Sequence, residues 1–431
     1  MMHFGPCAAA AIVASSLAAL MLAPCGASAQ PPGGDKKPHK EHARRGAKPS
    51  RSDGALRDGQ AEARLLGILE LTRAGRTGQA LEQAQRLVRD YPNFHLAQLT
   101  LGDLLSARAR PLGQFGDVPE PVPGDVLQEL RTEARRRVAA HQQQQQRAPG
   151  SVPSEFLQLA PHYGHAIAVD ATLSRLYLFE NGPGGLRLVA DYYASVGKLG
   201  IEKTAEGDQR TPLGVYFITG RLDPATLRDI YGAGALPINY PNALDQARGR
   251  TGSGIWLHGT PSSQYARSPL ATDGCVALSN PDLERLLRTV QPRATPVVIA
   301  RSLQWVAPDS RQSAQARRAF EAVLADWSRA KSRGNLRQLM SYYTADFKAR
   351  KNRAEFDLGE WTQELQGETA ALAGRTLQLK DMSLLRWVDT QETMVVTFGE
   401  VAQGERTGPV RRQYWTRQGS QWRIFHEGII G

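Results

Sequence analysis

The chain reads as a multidomain protein: an N-terminal α-helical hairpin, a central mostly-β domain and a C-terminal α+β cone. Three observations predict this. The 431 residues exceed what one ordinary core fills, since domains run to roughly 100–200 residues. Apolar residues make up 41% and charged residues 22%, a balance that buries cores and excludes a disordered chain. The hydrophobic period also changes twice, from helical spacing to strand alternation near residue 160 and back to helical spacing after Pro308.

The first element is an export signal. Residues 8–23 are small and apolar, and Ala27-Ser28-Ala29 precedes Gln30-Pro31, so 1–29 reads as a signal peptide with an A-x-A cleavage site. No Lys or Arg precedes the apolar run, and Leu22-Ala23-Pro24-Cys25 is a poor lipoprotein signal because of its Pro. Uncleaved anchoring is the alternative, although the run is short for a span of ~18 residues or more. No later stretch approaches that length, so a cleaved chain has no stable transmembrane span. The expected location is the periplasm or cell envelope.

Cleavage after Ala29 removes Cys7 and Cys25 and leaves Cys275 alone among three cysteines. That excludes a disulfide scaffold and a cysteine zinc site, and no metal or cofactor is expected. The formal net charge is +11, and residues 35–51 hold seven Lys/Arg against two Asp/Glu. Nearly half the excess thus falls in a Pro/Gly-rich stretch, and 30–58 reads as a basic disordered linker. It lacks aromatics for base stacking, so no nucleic-acid partner is expected.

Residues 59–110 carry helical patterns punctuated by Gly75-Arg76-Thr77-Gly78 and Tyr91-Pro92. Paired helices with this punctuation resemble a tetratricopeptide-type hairpin. Residues 111–158, rich in Pro and ending in a Gln tract at 142–146, read as a linker with a short helix. Strand signals fill 160–303, from Ile167 and Val169 through Leu176 and Leu178 to the run 296–300. Residues 312–431 begin with Phe320, Val323, Leu324 and Trp327 at helical spacing and end in alternating strands at 394–398, 411–416 and 422–426. Helices first and a curved antiparallel sheet after, rich in Trp and Tyr, resemble the nuclear-transport-factor-2-like fold. Such a module offers a pocket for wall polymer, a partner protein or its own catalytic face.

The chemistry is concentrated in Ile255-Trp256-Leu257-His258-Gly259-Thr260 and Thr272-Asp273-Gly274-Cys275-Val276-Ala277. A strand delivers His258 to its end, and Gly274 lets the chain bend sharply before Cys275. Side chains on neighbouring strands then face each other. A thiol with a free pKa of about 8.5 becomes a nucleophile once an imidazole takes its proton. Amides at the Gly274–Cys275 turn would face a developing oxyanion.

His-Gly-Thr followed by Thr-x-Gly-Cys-Val resembles the catalytic domain of the L,D-transpeptidase (YkuD) family. So does the upstream Gly207-Asp208-Gln209-Arg210-Thr211-Pro212-Leu213-Gly214-Val215-Tyr216. The resemblance implies that Cys275 is the nucleophile and His258 the general acid/base, the latter oriented by a backbone carbonyl. It also implies peptidoglycan stem peptides as substrates, and carbapenems as acylating inhibitors. Arg210 and Arg267 are candidates for a substrate carboxylate, with Asp273, Gly259 and Thr272 beside them. Many members have His where this chain has Asp273, and Arg or Asn where it has Ala277. Members with Ala there include hydrolases, whereas Asp273 offers an acceptor ammonium a charge. Transfer to an amine and hydrolysis share one thioester, and both stay open beside a non-catalytic wall-binding reading.

Overall fold

The structure is a computed structural model that describes residues 58–117, 124–372 and 374–430. The segment read as a signal peptide and most of the one read as a basic linker lie outside the described residues.

The chain starts with α1 (Gln60–Arg73), α2 (Thr77–Asp90) and α3 (His95–Ser106). Leu65, Ile68, Ala80, Ala84, Leu87, Leu96 and Ala97 close their shared core, and Gly75 (φ +72°) makes the first turn. The segment read as a linker with a short helix is different. A 23-residue helix, α4 (Gly124–Gln146), runs through the Gln tract. Gln, Arg and Ala are strong helix formers, and the helix is held in place by its buried polar groups. Arg137, only 1% exposed, bridges Glu133 at 2.6 Å and Glu62 of α1 at 3.0 Å. Glu62 also meets Arg175 at 2.6 Å, and Arg175 meets Asp191 at 2.5 Å. This network joins the helices to the next domain.

That domain is built on a five-stranded sheet ordered Gly185–Tyr193, Arg175–Gly182, His165–Asp170, Pro296–Ala300, Gly214–Phe217. Period-two alternation sorts its side chains onto two faces. Ile167, Val169, Leu176, Leu178, Val297 and Ile299 pack against Leu257, Val276, Leu278, Leu283 and Leu286. Ala166, Ala168, Tyr177, Phe179, Val215, Phe217 and Val298 turn the other way, onto the C-terminal module. Both faces are therefore covered, and each fully buried aliphatic side chain stabilises by about 1.5–3 kcal/mol.

The C-terminal module packs helices Arg311–Ser332, Leu336–Met340 and Leu358–Leu372 on one face of a seven-stranded sheet. Two features depart from the sequence reading. Strands Tyr343–Lys351 and Gln421–Ile429 pair in parallel, so the sheet is mixed. In addition Phe156–Gln158, read as linker, pairs with Leu377–Val388 at the sheet edge, because a strand that pairs more than 200 residues away leaves no local signal. The interior carries an ionic network in which Arg411 contacts Glu368, Glu400 and Glu427, and Lys331 contacts Glu368 and Glu400. No described helix is long and apolar enough to cross a membrane.

Candidate active site

A small sheet carries the two catalytic candidates. Its central strand, Trp256–His258, is flanked by Ala235–Pro237 and, in parallel, by Val276–Ala277. The register sets Val276 opposite Leu257 and Ala277 opposite His258, so Cys275 enters alongside Trp256, diagonal to His258. The Trp256 N–H donates to the Cys275 Sγ and the thiol donates to the Gly254 carbonyl, both at 3.4 Å. Cys275 is partly exposed. His258 is buried, and its Nδ1 lies 2.7 Å from the Gly259 carbonyl oxygen. That contact assigns the proton to Nδ1 and leaves Nε2 as the basic nitrogen.

Both groups are neutral at rest. Burial pulls His258 down to about 4, against the raising effect of the Gly259 carbonyl. Burial pushes the Cys275 thiol up to about 11, with the Trp256 N–H working the other way.

The turn before Cys275 explains the glycine and the upstream motif together. Gly274 has φ +123°, and a Cβ there would lie 2.7 Å from the Arg210 carbonyl oxygen. The Thr211 hydroxyl donates to the Gly274 carbonyl and accepts from the Gly197 N–H, each at 2.9 Å. Asp208 accepts from the Thr204, Ala205 and Arg210 N–H groups and from Lys203 Nζ. It is buried enough to be pushed up, yet those donors hold its carboxyl at about 2. The motif is thus a buttress behind the Cys275 turn.

The remaining sequence candidates separate into support and surface. Thr272 is buried; its hydroxyl donates to the Cys275 carbonyl at 2.7 Å and accepts the Gly274 N–H at 3.1 Å. These two bonds shape the turn before Cys275. The Gly274 N–H is therefore engaged, and the amide left for an oxyanion is that of Cys275, which has no partner among the described residues. Gly259 is likewise structural, since a Cβ would lie 2.1 Å from Asn280 Oδ1. Asp273 is exposed and bonded to Lys198 Nζ at 2.9 Å. Arg210 is exposed, its guanidinium donating to the Ile201 carbonyl at 3.1 Å. Arg267 is half-buried.

Sequence reasoning missed three residues. Asn280 Oδ1 accepts from the Ala233 and Thr260 N–H groups at 2.9 and 3.1 Å, and its Nδ2 donates to the Thr260 carbonyl at 3.0 Å, fixing the bend after His258. Its signal was the Ser279 cap and Pro281 that begin helix Asn280–Thr289. Tyr231 stands edge-on to His258 at 5.2 Å and tilted to Trp256 at 4.9 Å. Tyr265, in the loop between His258 and Cys275, inserts between Tyr91 (5.3 Å) and Phe94 (4.5 Å) of the N-terminal helices. Neither tyrosine had a sequence signal.

Residues 164–299 match the family model of the L,D-transpeptidase catalytic domain, YkuD. A comparison with curated protein sequences gives no match. Among solved structures the chain is similar to Bd1075 of Bdellovibrio bacteriovorus, at 23% identity and a TM-score of 0.54 over 65% of this chain and 98% of that one. It is similar to the helical cell shape determining protein Pgp2 of Campylobacter jejuni at 22% identity and a TM-score of 0.48, over 61% and 91% of the two chains. An NTF2-like protein of unknown function from Pseudomonas putida KT2440 aligns at 15% identity and a TM-score of 0.23, over 27% and 86%. The likeness to Bd1075 is one of fold.

Proposed function

We propose that the protein is an exported cysteine acyltransferase of the cell envelope that cleaves and rejoins amides of peptidoglycan stem peptides. The observation that carries this is the placement of His258 on one strand and of Cys275 at the start of its parallel neighbour, both neutral, the imidazole locked through Nδ1 and its Nε2 without a partner among the described residues. On binding, Nε2 takes the thiol proton and Sγ attacks the amide carbonyl. The Cys275 N–H faces the oxyanion. The C–N bond breaks, the imidazolium returns its proton to the leaving amine, and a thioester remains. An amine then resolves it by the reverse path. The export signal and the family match to 164–299 support the envelope and the substrate class.

Hydrolysis is the second reading, favoured by the Lys198–Asp273 contact. Asp273 is already paired with a cation and is less able to hold an acceptor ammonium. Purified protein incubated with disaccharide tetrapeptide, with and without an excess of amine acceptor, tests both by mass spectrometry. A thioester on Cys275, a carbapenem adduct, and loss of both in Cys275→Ala are expected. Crosslinked or exchanged products assign transfer, and tripeptide at every acceptor concentration assigns hydrolysis. Absence of any adduct or product in the wild type would sink the catalytic reading.

A further inference from the structure

We propose that Arg267 is a carboxylate anchor: it binds the free α-carboxylate of the amino acid that leaves, or enters, at the Cys275 thioester. This rests on the acyl-transfer reading and adds to it a specificity for the residue beyond the scissile amide.

Among the described residues, four cations lie on segments that pack at the Cys275 turn, and three of them are engaged. Lys198 holds Asp273 at 2.9 Å, Lys203 holds Asp208 at 2.8 Å, and Arg210 holds the Ile201 carbonyl. The Arg267 guanidinium has neither an acidic nor a carbonyl partner among the described residues, although it is half-buried. A charge in that setting is stabilised when an anion arrives. Burial holds Arg267 below the usual arginine range, opposed by the charge of Asp273 and by that of Cys275 only when its thiolate forms.

Its backbone is fixed on several sides. The Tyr193 hydroxyl donates to the Arg267 carbonyl at 2.8 Å, and the Ser195 hydroxyl donates to the Ser268 carbonyl. The Ser268 hydroxyl donates to Glu129 of α4. Residues 270–272 pair with Val196–Gly197, and Ser195 bridges to Ala277, so one ridge carries both Arg267 and the Cys275 turn. Arg267 also lines a groove of about 650 Å³ between the α3–α4 helices and this loop, with Gln98, Glu129 and Ala271.

The chemistry requires such a group in both half-reactions. When the thioester forms, the departing amine carries its own α-carboxylate, one carbon from the nitrogen. The amine that resolves the thioester must approach where the first one left. One guanidinium therefore serves departure and arrival, and water needs none.

The test compares a stem tetrapeptide ending in a free carboxylate with the same peptide amidated at its C-terminus. The wild type is expected to favour the acid by about 10–100-fold in kcat/KM, the range of a charge-assisted hydrogen bond. Arg267→Gln is expected to slow the acid by that factor and the amide far less, so the preference collapses, while Arg267→Lys restores part of it. Equal loss on both substrates would mark a structural role and overturn the proposal, as would an undiminished preference in Arg267→Gln. If the wild type forms no thioester by mass, the acyl-transfer reading fails first and this one with it. A thioester with no preference for the acid sinks only the anchor.

Discussion

The catalytic domain is flanked by two modules that attach to it in different ways. The N-terminal helices hold the loop between His258 and Cys275: Tyr265 inserts beside Tyr91 and Phe94, its N–H donates to the Asn93 carbonyl, and Asn93 Nδ2 donates to the Ser262 carbonyl. The Thr260 hydroxyl donates to the Gln264 carbonyl at 2.8 Å, carrying that hold to the residues after His258. The C-terminal module instead lays Leu385, Trp387, Val395, Tyr414 and Phe425 on the sheet face turned away from the small sheet. One module is part of the site, whereas the other supports the fold and keeps its own chemistry inside. The two modules thus differ in the face of the central domain that they cover, one at the His258–Cys275 loop and the other at the opposite side of its sheet.

The strongest break of this contrast is Arg137→Ala. It removes a buried cation from Glu62 and Glu133 and from the face of Tyr193, whose ring lies 3.7 Å below the guanidinium. Glu62 keeps Arg175 at 2.6 Å, whereas Glu133 loses the arginine that pairs with it; a buried carboxylate so left costs about 3–5 kcal/mol, read as a drop in thermal or urea stability. Because the Tyr193 hydroxyl holds the Arg267 carbonyl, kcat/KM of the folded fraction should fall as well. A stable variant, or an unstable one with wild-type kinetics, contradicts a functional grip by the helices.

Glu400→Gln is the matching change in the other module. Burial pushes Glu400 up, but Arg411 and Lys331 outweigh it and hold the carboxyl at about 2, against 4.5 unperturbed. A carboxyl so depressed contributes stability above 4.5 that is lost as the pH falls towards 2. The expected outcome is a loss of about 1–3 kcal/mol at neutral pH and a shallower acid denaturation between those values, with kcat/KM unchanged. A kinetic effect would show that the C-terminal interior does reach the site.

Much of the site could be read from sequence because strand ends and tight turns are local. His258-Gly259, Gly274-Cys275 and the 207–216 motif announce themselves by residue type and spacing, and the structure puts the first two on neighbouring strands and the third behind them. What escaped is what pairs across long separations. Tyr265 meets Phe94 across 171 positions (265 − 94), and Phe156–Gln158 joins a strand that begins at Leu377. The tract 142–146 misled for another reason: low complexity resembles linker, yet Gln and Ala carry high helix propensity, and one buried arginine a turn and a half earlier was enough to dock the helix. The resting state of the thiol was not legible, because burial, which pushes it up, belongs to the assembled site.

The finest test of the contrast is a pH profile. The low limb of kcat/KM reports the free enzyme's base, and His258 must be neutral to take the thiol proton. Burial lowers it to about 4, so activity should persist to near pH 5 and fall through 4, well below the limb of an ordinary imidazole at 6.5. Tyr265→Leu loosens the loop that continues from Thr260 and lets water reach the ring. Water restores the charged form, so the limb should rise from about 4 towards 6.5, with a loss of about tenfold or less at neutral pH. Tyr414→Leu removes a comparable aromatic from the C-terminal seam and should lower stability alone, leaving the limb in place. Limbs that move together in the two variants would mean that general loosening, and not the helical hold on this loop, keeps His258 dry.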